Sequence, residues 1–182
     1  MARIDETLGD KAAISSDFIV GFCGETEDEF QETVQLVEEC RFKNSFIFKY
    51  SERPGTKASD HLPDDIPFEV KRRRNNELLD VQNRISEEDN QKFLGETVEV
   101  LVEGPSKRHD AAVNDLSEGE PISEGTPIQL TGRTHCDRIV VFDGTRRLVG
   151  QTIPIGIYEV AAFTLMGTVV TDHVAGPVVS LK

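Results

Sequence analysis

"DFIVGFCGETEDEFQETVQLVEECRFKNSFIFKY", residues 17–50, decides how the first half of the chain folds. From Phe18 the run is apolar and carries the β-branched pair Ile19-Val20, so it reads as a buried strand within 12–22. Thr26-Glu27-Asp28-Glu29 has the form of a capping box, in which the Thr26 hydroxyl accepts from the Glu29 amide and the Glu29 carboxylate reaches back. Three acids in a row also suit the positive end of a helix dipole. Phe30, Val34 and Val37 then recur at helical spacing. Phe46, Phe48 and Tyr50 alternate, which predicts a second strand over 44–50. Strand, helix and strand in so short a stretch form a βαβ unit with parallel strands.

Working outward, the loop "SERPGTKASDHLPDDIP" (51–67) leads to Pro67, which opens a long helix. Val70, Leu78, Val81 and Ile85 form its apolar stripe, and Lys71-Arg72-Arg73-Arg74 is the strongest positive patch in the chain. That patch has two readings, a solvated helix face or a contact with RNA or another domain. A lone βαβ unit leaves strand edges and apolar faces uncovered. The expectation is therefore a larger sheet whose other strands lie upstream, outside this chain, or on a partner.

From Phe93 the pattern changes. In "TVEVLVEG" (97–104), Val98, Val100 and Val102 alternate onto one face. "IQLTGRT", "RIVVFDG", "QTIPIGIYEV" and "FTLMGTVV" supply four more short strands, with a hairpin signal at Asp143-Gly144. Five short strands separated by turn residues predict a small closed barrel of the OB type. The domain boundary falls near residue 92, with a connecting helix over 66–92, the barrel over 93–170 and a tail over 171–182. Lys107, Arg108, Arg133, Arg138, Arg146 and Arg147 give the barrel a cationic face for RNA phosphates. Phe142, Tyr158 and Phe163 are the few aromatics available for stacking.

The chain has 182 residues and a formal net charge of -13, which sits poorly with RNA binding until its distribution is considered. Residues 1–92 hold 13 Lys and Arg against 21 Asp and Glu; residues 93–170 hold 6 against 11. Five of those 11 acids fall in "HDAAVNDLSEGEPISEGTP" (109–127), a stretch with no Lys or Arg, expected to be a solvated loop set away from the basic face. No apolar run is long enough to span a membrane, and no charged-then-apolar leader stands at the start. Cys23, Cys40 and Cys136 are odd in number and widely spaced, so they form no disulfide framework. A reducing, cytoplasmic setting follows.

Three groups of motifs, in this order, resemble one family. They are G-F-x-G-E-T-E-x-x-F (Gly21–Phe30), F-x-Y-S-x-R-x-G-T (Phe48–Thr56), and E-G-P-S-K (Glu103–Lys107) followed by G-R-T (Gly132–Thr134). The first two look like the end of the radical S-adenosylmethionine barrel of tRNA methylthiotransferases of the MiaB type. The third looks like their terminal TRAM domain. The likeness runs from about residue 12 to 170, and E-G-P-S-K with G-R-T favours the tRNA branch over the ribosomal-protein methylthiotransferases. It implies an incomplete TIM-like radical SAM barrel (1–65) followed by an all-β, OB-like TRAM barrel. It also implies conversion of N6-isopentenyladenosine beside the anticodon to its 2-methylthio form, with S-adenosylmethionine and two [4Fe-4S] clusters in the full enzyme, and a tRNA anticodon stem-loop as partner.

The cluster chemistry needs a C-x-x-x-C-x-x-C loop that this sequence lacks. The resemblance therefore implies a C-terminal piece that is inactive alone, binds no cluster and is completed by an N-terminal half. The alternatives are a stand-alone RNA-binding module without catalytic activity and a fragment of a ribosomal-protein methylthiotransferase. By resemblance, Val20, Gly21, Phe22 and Arg53 adjoin the cofactor. From the residues alone, Val20–Phe22 are equally a strand end and Arg53 equally a turn arginine. Cys23 stands where the family usually has proline and reads as a buried structural thiol. Cys40 reads as core. His135 and Cys136, as strand neighbours, point to opposite faces and form no joint metal site.

Overall fold

A computed structural model describes Ile4, Glu6, Thr7 and residues 13–107 and 126–170. Arg108, the tail 171–182 and all but the last two residues of the acidic stretch 109–127 lie outside the described residues. The chain divides into two compact units. One comprises the chain up to Lys92 with Val160–Thr164, the other Phe93–Glu159 with the chain from Leu165.

In the first unit, β1 (Ser15–Val20), α1 (Glu27–Cys40) and β2 (Asn44–Lys49) form the βαβ crossover. The strands pair in parallel, with Phe18 opposite Ile47 and Ile19 opposite Phe48. The capping box is complete: the Glu29 amide donates to Thr26 Oγ1 at 3.3 Å, and the Thr26 amide donates to Glu29 Oε2 at 2.8 Å. A cap of this kind stabilises a helix by about 1 kcal/mol. A short helix, α2 (Lys57–His61), precedes α3 (Phe68–Asn90).

Val20, Phe30, Val37, Phe42, Leu78 and Ile85 form the core, with Phe18, Ile47 and Val81 packed against it. The helix after Pro67 thus belongs to this unit's core and does not stand apart as a connector. Its buried polar side chains are spent on the sheet. Asn75 Nδ2 donates to Ile47 O, and Gln82 Nε2 to Phe42 O while Gln82 Oε1 accepts from Ser45.

α1 and α3 cover one face of the two-stranded sheet. On the other face Ile19 is 57% exposed, Phe46 56% and Phe48 55%. The strand read as buried is half-buried, because on that side only the loop after β2 and the start of α2 border it, around an open cavity shared with Ile19 and Phe48. Parallel sheets are ordinarily covered on both faces, so this surface is an apolar face without its layer.

The second unit is a closed five-stranded barrel of β3 (Thr97–Pro105), β4 (Ile128–Thr134), β5 (Ile139–Gly144), β6 (Thr152–Val160) and β7 (Thr164–Val169), in the order β3-β4-β5-β7-β6. β3 pairs antiparallel with β4 and β6, and β4 antiparallel with β5. Val100, Val102, Leu130, Val140, Phe142, Ile155, Ile157 and Leu165 fill the interior. The strand alternation places them there, since inward and outward residues succeed each other along every strand. A register shift between Val102 and Gly104 bends β3. At Gly132 a Cβ would stand 2.4 Å from Leu101 O, so the glycine of G-R-T is required for β3 and β4 to approach.

Candidate functional site

In α/β folds, loops leaving the C-terminal ends of parallel strands build the sites. Here those loops follow β1 (21–26) and β2 (50–67), and the resemblance places Val20, Gly21, Phe22 and Arg53 on them. Val20 is fully buried and its carbonyl accepts from Tyr50 N at 2.9 Å. Gly21, at φ +70°, donates its N–H to Glu25 Oε2 at 2.6 Å. A Cβ at Gly21 would stand 2.4 Å from Lys71 Cγ, so the loop runs against the lysine stem. Phe22 is 40% exposed and meets the Tyr50 ring edge-on at 5.0 Å.

Arg53 belongs to a separate cavity of about 580 Å³, lined by Ile19, Phe48, Tyr50, Ser51, Arg53 and Thr56 among others. Its guanidinium has no partner among the described residues. The four residues are therefore not brought into one pocket. Val20 and the Gly21 amide are engaged by the fold, while Phe22 and Arg53 remain available to a ligand.

The basic cluster turns out to be what holds these loops. Lys71 and Arg74 are buried. Lys71 Nζ pairs with Asp64 Oδ1 at 2.5 Å and lies 3.4 Å from Tyr50 O. Arg74 Nη1 donates to Glu25 Oε2 at 2.7 Å and to Glu25 O at 3.0 Å, and its Nη2 reaches Glu27 at 3.1 Å. Gly24 N donates to Asp65 Oδ1 at 2.8 Å, stitching the two loops together. Arg73, with Arg74, holds the Glu27 carboxyl below the usual carboxylate range. Arg72 pairs with Glu69 on the surface. The solvated reading describes Arg72 and Arg73, whereas Lys71 and Arg74 are buried in ion pairs. The missed residues were Glu25, Asp64 and Asp65. The two glycines at 21 and 24, with a carboxylate directly after them, were the signal that could have found Glu25.

Cys23 is partly exposed, its Sγ 3.9 Å from Leu62 O, so it is not the buried thiol expected. Its contact with the Tyr50 hydroxyl, followed by burial, pushes that phenol up to about 12. Cys40 packs against the core, and Cys136 is buried in the barrel. His135 and Cys136 occupy a turn beyond the end of β4 and not a strand. Among the described residues no three His, Cys, Asp or Glu side chains converge as metal ligands. The cysteines present do not fit an iron-sulfur cluster, whose thiolates must converge on one centre.

On the barrel, the cationic residues divide. Lys107, Arg146 and Arg147 are exposed. Lys107 follows the end of β3, and the pairing of Ile128 with Gly144 brings the start of β4 to the same end as the turn carrying Arg146 and Arg147. Arg133 and Arg138 lie at the opposite end of β4 and β5, where Arg133 pairs with Ile139. Lys107 and Arg146 have no side-chain partner among the described residues. Arg133 is engaged by Asp137 at 2.6 Å and Glu103 at 3.2 Å, which raise its pKa.

Arg138 is only 6% exposed. It lies over the Phe93 ring at 4.6 Å and donates to Cys136 Sγ at 3.0 Å. Its place is in the barrel wall and not on the expected contact face, because burial of its guanidinium is offset by the ring and the sulfur. Phe142 is core, whereas Tyr158 is 58% and Phe163 57% exposed. Arg108 lies outside the described residues.

No family model matches the chain. Among known proteins it is similar to tRNA-2-methylthio-N(6)-dimethylallyladenosine synthases. That of Rhodopirellula baltica is 60% identical over 169 residues, 93% of this chain and 33% of the relative. That of Porphyromonas gingivalis is 45% identical over 170 residues, again 93% and 33%. That of an Acidovorax species is 48% identical over 162 residues, 89% of this chain and 32% of the relative. The chain thus spans about a third of the length of the curated relatives it matches. No helix among the described residues is long and apolar enough to cross a membrane. With 93% of its length inside these alignments, a span that reaches both units, the chain is similar to about a third of a tRNA-2-methylthio-N(6)-dimethylallyladenosine synthase.

Proposed function

We propose that this chain is the C-terminal part of a tRNA-2-methylthio-N6-dimethylallyladenosine synthase, supplying the end of the catalytic barrel and a tRNA-binding TRAM barrel. The carrying observation is 60% identity to one such synthase over 169 residues, a span that takes in both units. In this reading the whole enzyme works in the cytoplasm and adds a methylthio group to isopentenyladenosine beside the anticodon.

In the complete enzyme the strands of the remaining two thirds pair with the open edges of the first unit's sheet, and its bare face of Ile19, Phe46 and Phe48 is then turned into the barrel. S-adenosylmethionine and two [4Fe-4S] clusters supply the radical chemistry in the complete enzyme, and their cluster thiolates come from that other part. The residues of this chain that fit the cofactor are Arg53, whose guanidinium is open to a carboxylate, and the apolar wall of Ile19 and Phe48 beside it. Gly21 acts through its backbone shape, Val20 as its anchor in the core, and Phe22 as an exposed ring at the rim. On the barrel, Lys107, Arg146 and Arg147 meet phosphate, and exposed Tyr158 offers a ring on which a base can stack.

The test is a chimaera in which this chain replaces the corresponding third of the Rhodopirellula synthase. Nucleoside mass spectrometry of tRNA from cells lacking their own enzyme should recover 2-methylthio-isopentenyladenosine. A folded, expressed chimaera that leaves isopentenyladenosine unmodified would sink the proposal. Methylthiolation of a ribosomal protein instead would move the chain to the sister branch. Tight anticodon stem-loop binding by this chain with an inactive chimaera would favour a stand-alone RNA-binding module.

A further inference from the structure

The Arg133 guanidinium sits on the outer surface of β4, in a cross-strand row with Leu101 and Ile139. Two carboxylates already occupy its fork. Asp137 Oδ1 takes Nη1 at 2.6 Å, and Glu103 Oε1 takes Nε at 3.2 Å. A phosphate arriving there meets two negative charges on the one cation it seeks. Asp137 is the more exposed of the pair, at 66% of its side chain against 46% for Glu103. Asp137 is also held by its turn, with φ +60° and its N–H on Thr134 O at 2.9 Å. The left-handed region disfavours most side chains but tolerates Asp, Asn and Gly. The turn therefore presents an acid to the arginine where a neutral residue of the same conformational habit would serve the backbone equally.

We propose that Asp137 is a resident counter-ion that RNA must displace from Arg133, so that this aspartate sets how strongly that end of the barrel takes a phosphate. The inference rests on the tRNA-binding reading above. An exposed ion pair is weak enough to be exchanged, and a phosphate accepts from the guanidinium fork as a carboxylate does. The pairing penalises isolated phosphates and weakly charged ligands. An RNA anchored elsewhere on the barrel, through Arg146 and Arg147, brings a second phosphate to Arg133 at high local concentration and makes the exchange. The barrel would then respond to an RNA long enough to reach both ends, and a short oligonucleotide would leave the Asp137–Arg133 pair closed.

The test uses the full 182-residue chain and an unmodified anticodon stem-loop RNA, with binding followed by fluorescence anisotropy at several salt concentrations. Asp137→Asn removes the charge and keeps the left-handed turn. It should tighten binding by about three- to tenfold at low salt, since a like charge beside the phosphate is gone. It should also steepen the dependence of log affinity on log salt by up to about 0.9 of a unit, since no displaced carboxylate is left to gather cations as the phosphate takes Arg133. Adding Arg133→Ala to Asp137→Asn should abolish that gain. Asp137→Gly, equally at home in the turn, should reproduce it if the asparagine variant folds poorly. If the wild type binds and both neutral variants match it in affinity and slope, Asp137 is not a counter-ion that RNA displaces. Weaker binding by folded neutral variants would make the aspartate a support of the site and overturn the proposal equally. If neither the wild type nor any variant binds the stem-loop, the tRNA-binding reading fails, and this inference fails with it.

Discussion

Arg74 and Glu25 form a largely buried ion pair that fixes the loop after β1: Nη1 lies 2.7 Å from a carboxylate oxygen that also accepts the Gly21 N–H at 2.6 Å. The side chains are 5% and 13% exposed. Removing one partner of such a pair leaves an uncompensated buried charge, at a cost of about 3–5 kcal/mol. Arg74→Ala should therefore lower the stability of the first unit by that order in urea denaturation. Arg74→Lys should recover only part of it, since an ammonium cannot serve Glu25 and Glu27 with one planar fork. If Arg74→Ala unfolds at the wild-type midpoint, the pair is not what secures the β1 loop.

Gly132 adjoins the candidate RNA contact Arg133 yet serves packing. Its missing Cβ leaves room for Leu101 O and Val100 Cγ1, which would stand 2.4 and 2.6 Å away. Backbone cannot yield as a side-chain tip can, so Gly132→Ala should cost about 1–3 kcal/mol or more through overpacking. Thermal unfolding of the isolated barrel signal, read from β-strand circular dichroism, should fall by several degrees. An unchanged midpoint would mean that β3 and β4 can part without loss.

The N-terminus of α1 gives a pH signature. The Thr26 amide, then its hydroxyl, hold the Glu29 carboxyl below its ordinary value of 4.5. A depressed carboxyl contributes stability above its unfolded-state pKa and loses it as pH falls through the folded one. Thr26→Ala removes the hydroxyl and should cost about 1 kcal/mol at neutral pH. The gap between wild type and variant should narrow as pH drops below about 4.5, where the carboxylate protonates in both. Parallel stability curves from pH 7 to pH 3 would contradict the reciprocal cap.

Arg146 and Arg138 should behave oppositely although sequence gives them the same charge. Arg146→Ala should leave the melting temperature unchanged, weaken stem-loop binding, and flatten the salt dependence by about 0.9 of a unit or less. Arg138→Ala should destabilise the barrel, because it uncovers the Phe93 ring and removes the donor to Cys136. Where the variant remains folded, its salt slope should match the wild type. A salt slope that changes with Arg138 and not with Arg146 would place the phosphate contact at the other end of the barrel.

Local features were legible in the sequence because their partners are local. Thr26 and Glu29 stand three residues apart, Val98 to Val102 alternate along one strand, and Pro67 precedes its helix. What escaped was decided over distance. Lys71 and Arg74 looked like surface charge because their partners Asp64 and Glu25 are named by the fold and not by spacing. Arg133 and Arg138 look alike in sequence, and only the closing of the barrel sends one outward to Asp137 and the other inward over Phe93. The exposure of Ile19, Phe46 and Phe48 was invisible in the alternation, which says which residues share a face but not whether anything lies upon it. The cofactor rim came only from resemblance, since Val20 and Gly21 carry no chemistry of their own and offer only the shape of a backbone.

The bare sheet face also bears on how such a chain fares in a cell. Three large apolar side chains lie side by side on a two-stranded sheet, next to strand edges that no described strand pairs. An uncovered edge is a template for further strands, and an apolar patch beside it is a handle for chaperones and proteases, which triage whatever stays open. Synthesis of this polypeptide without a covering layer would therefore be paid for in turnover, and its steady-state abundance would report how promptly that layer is supplied.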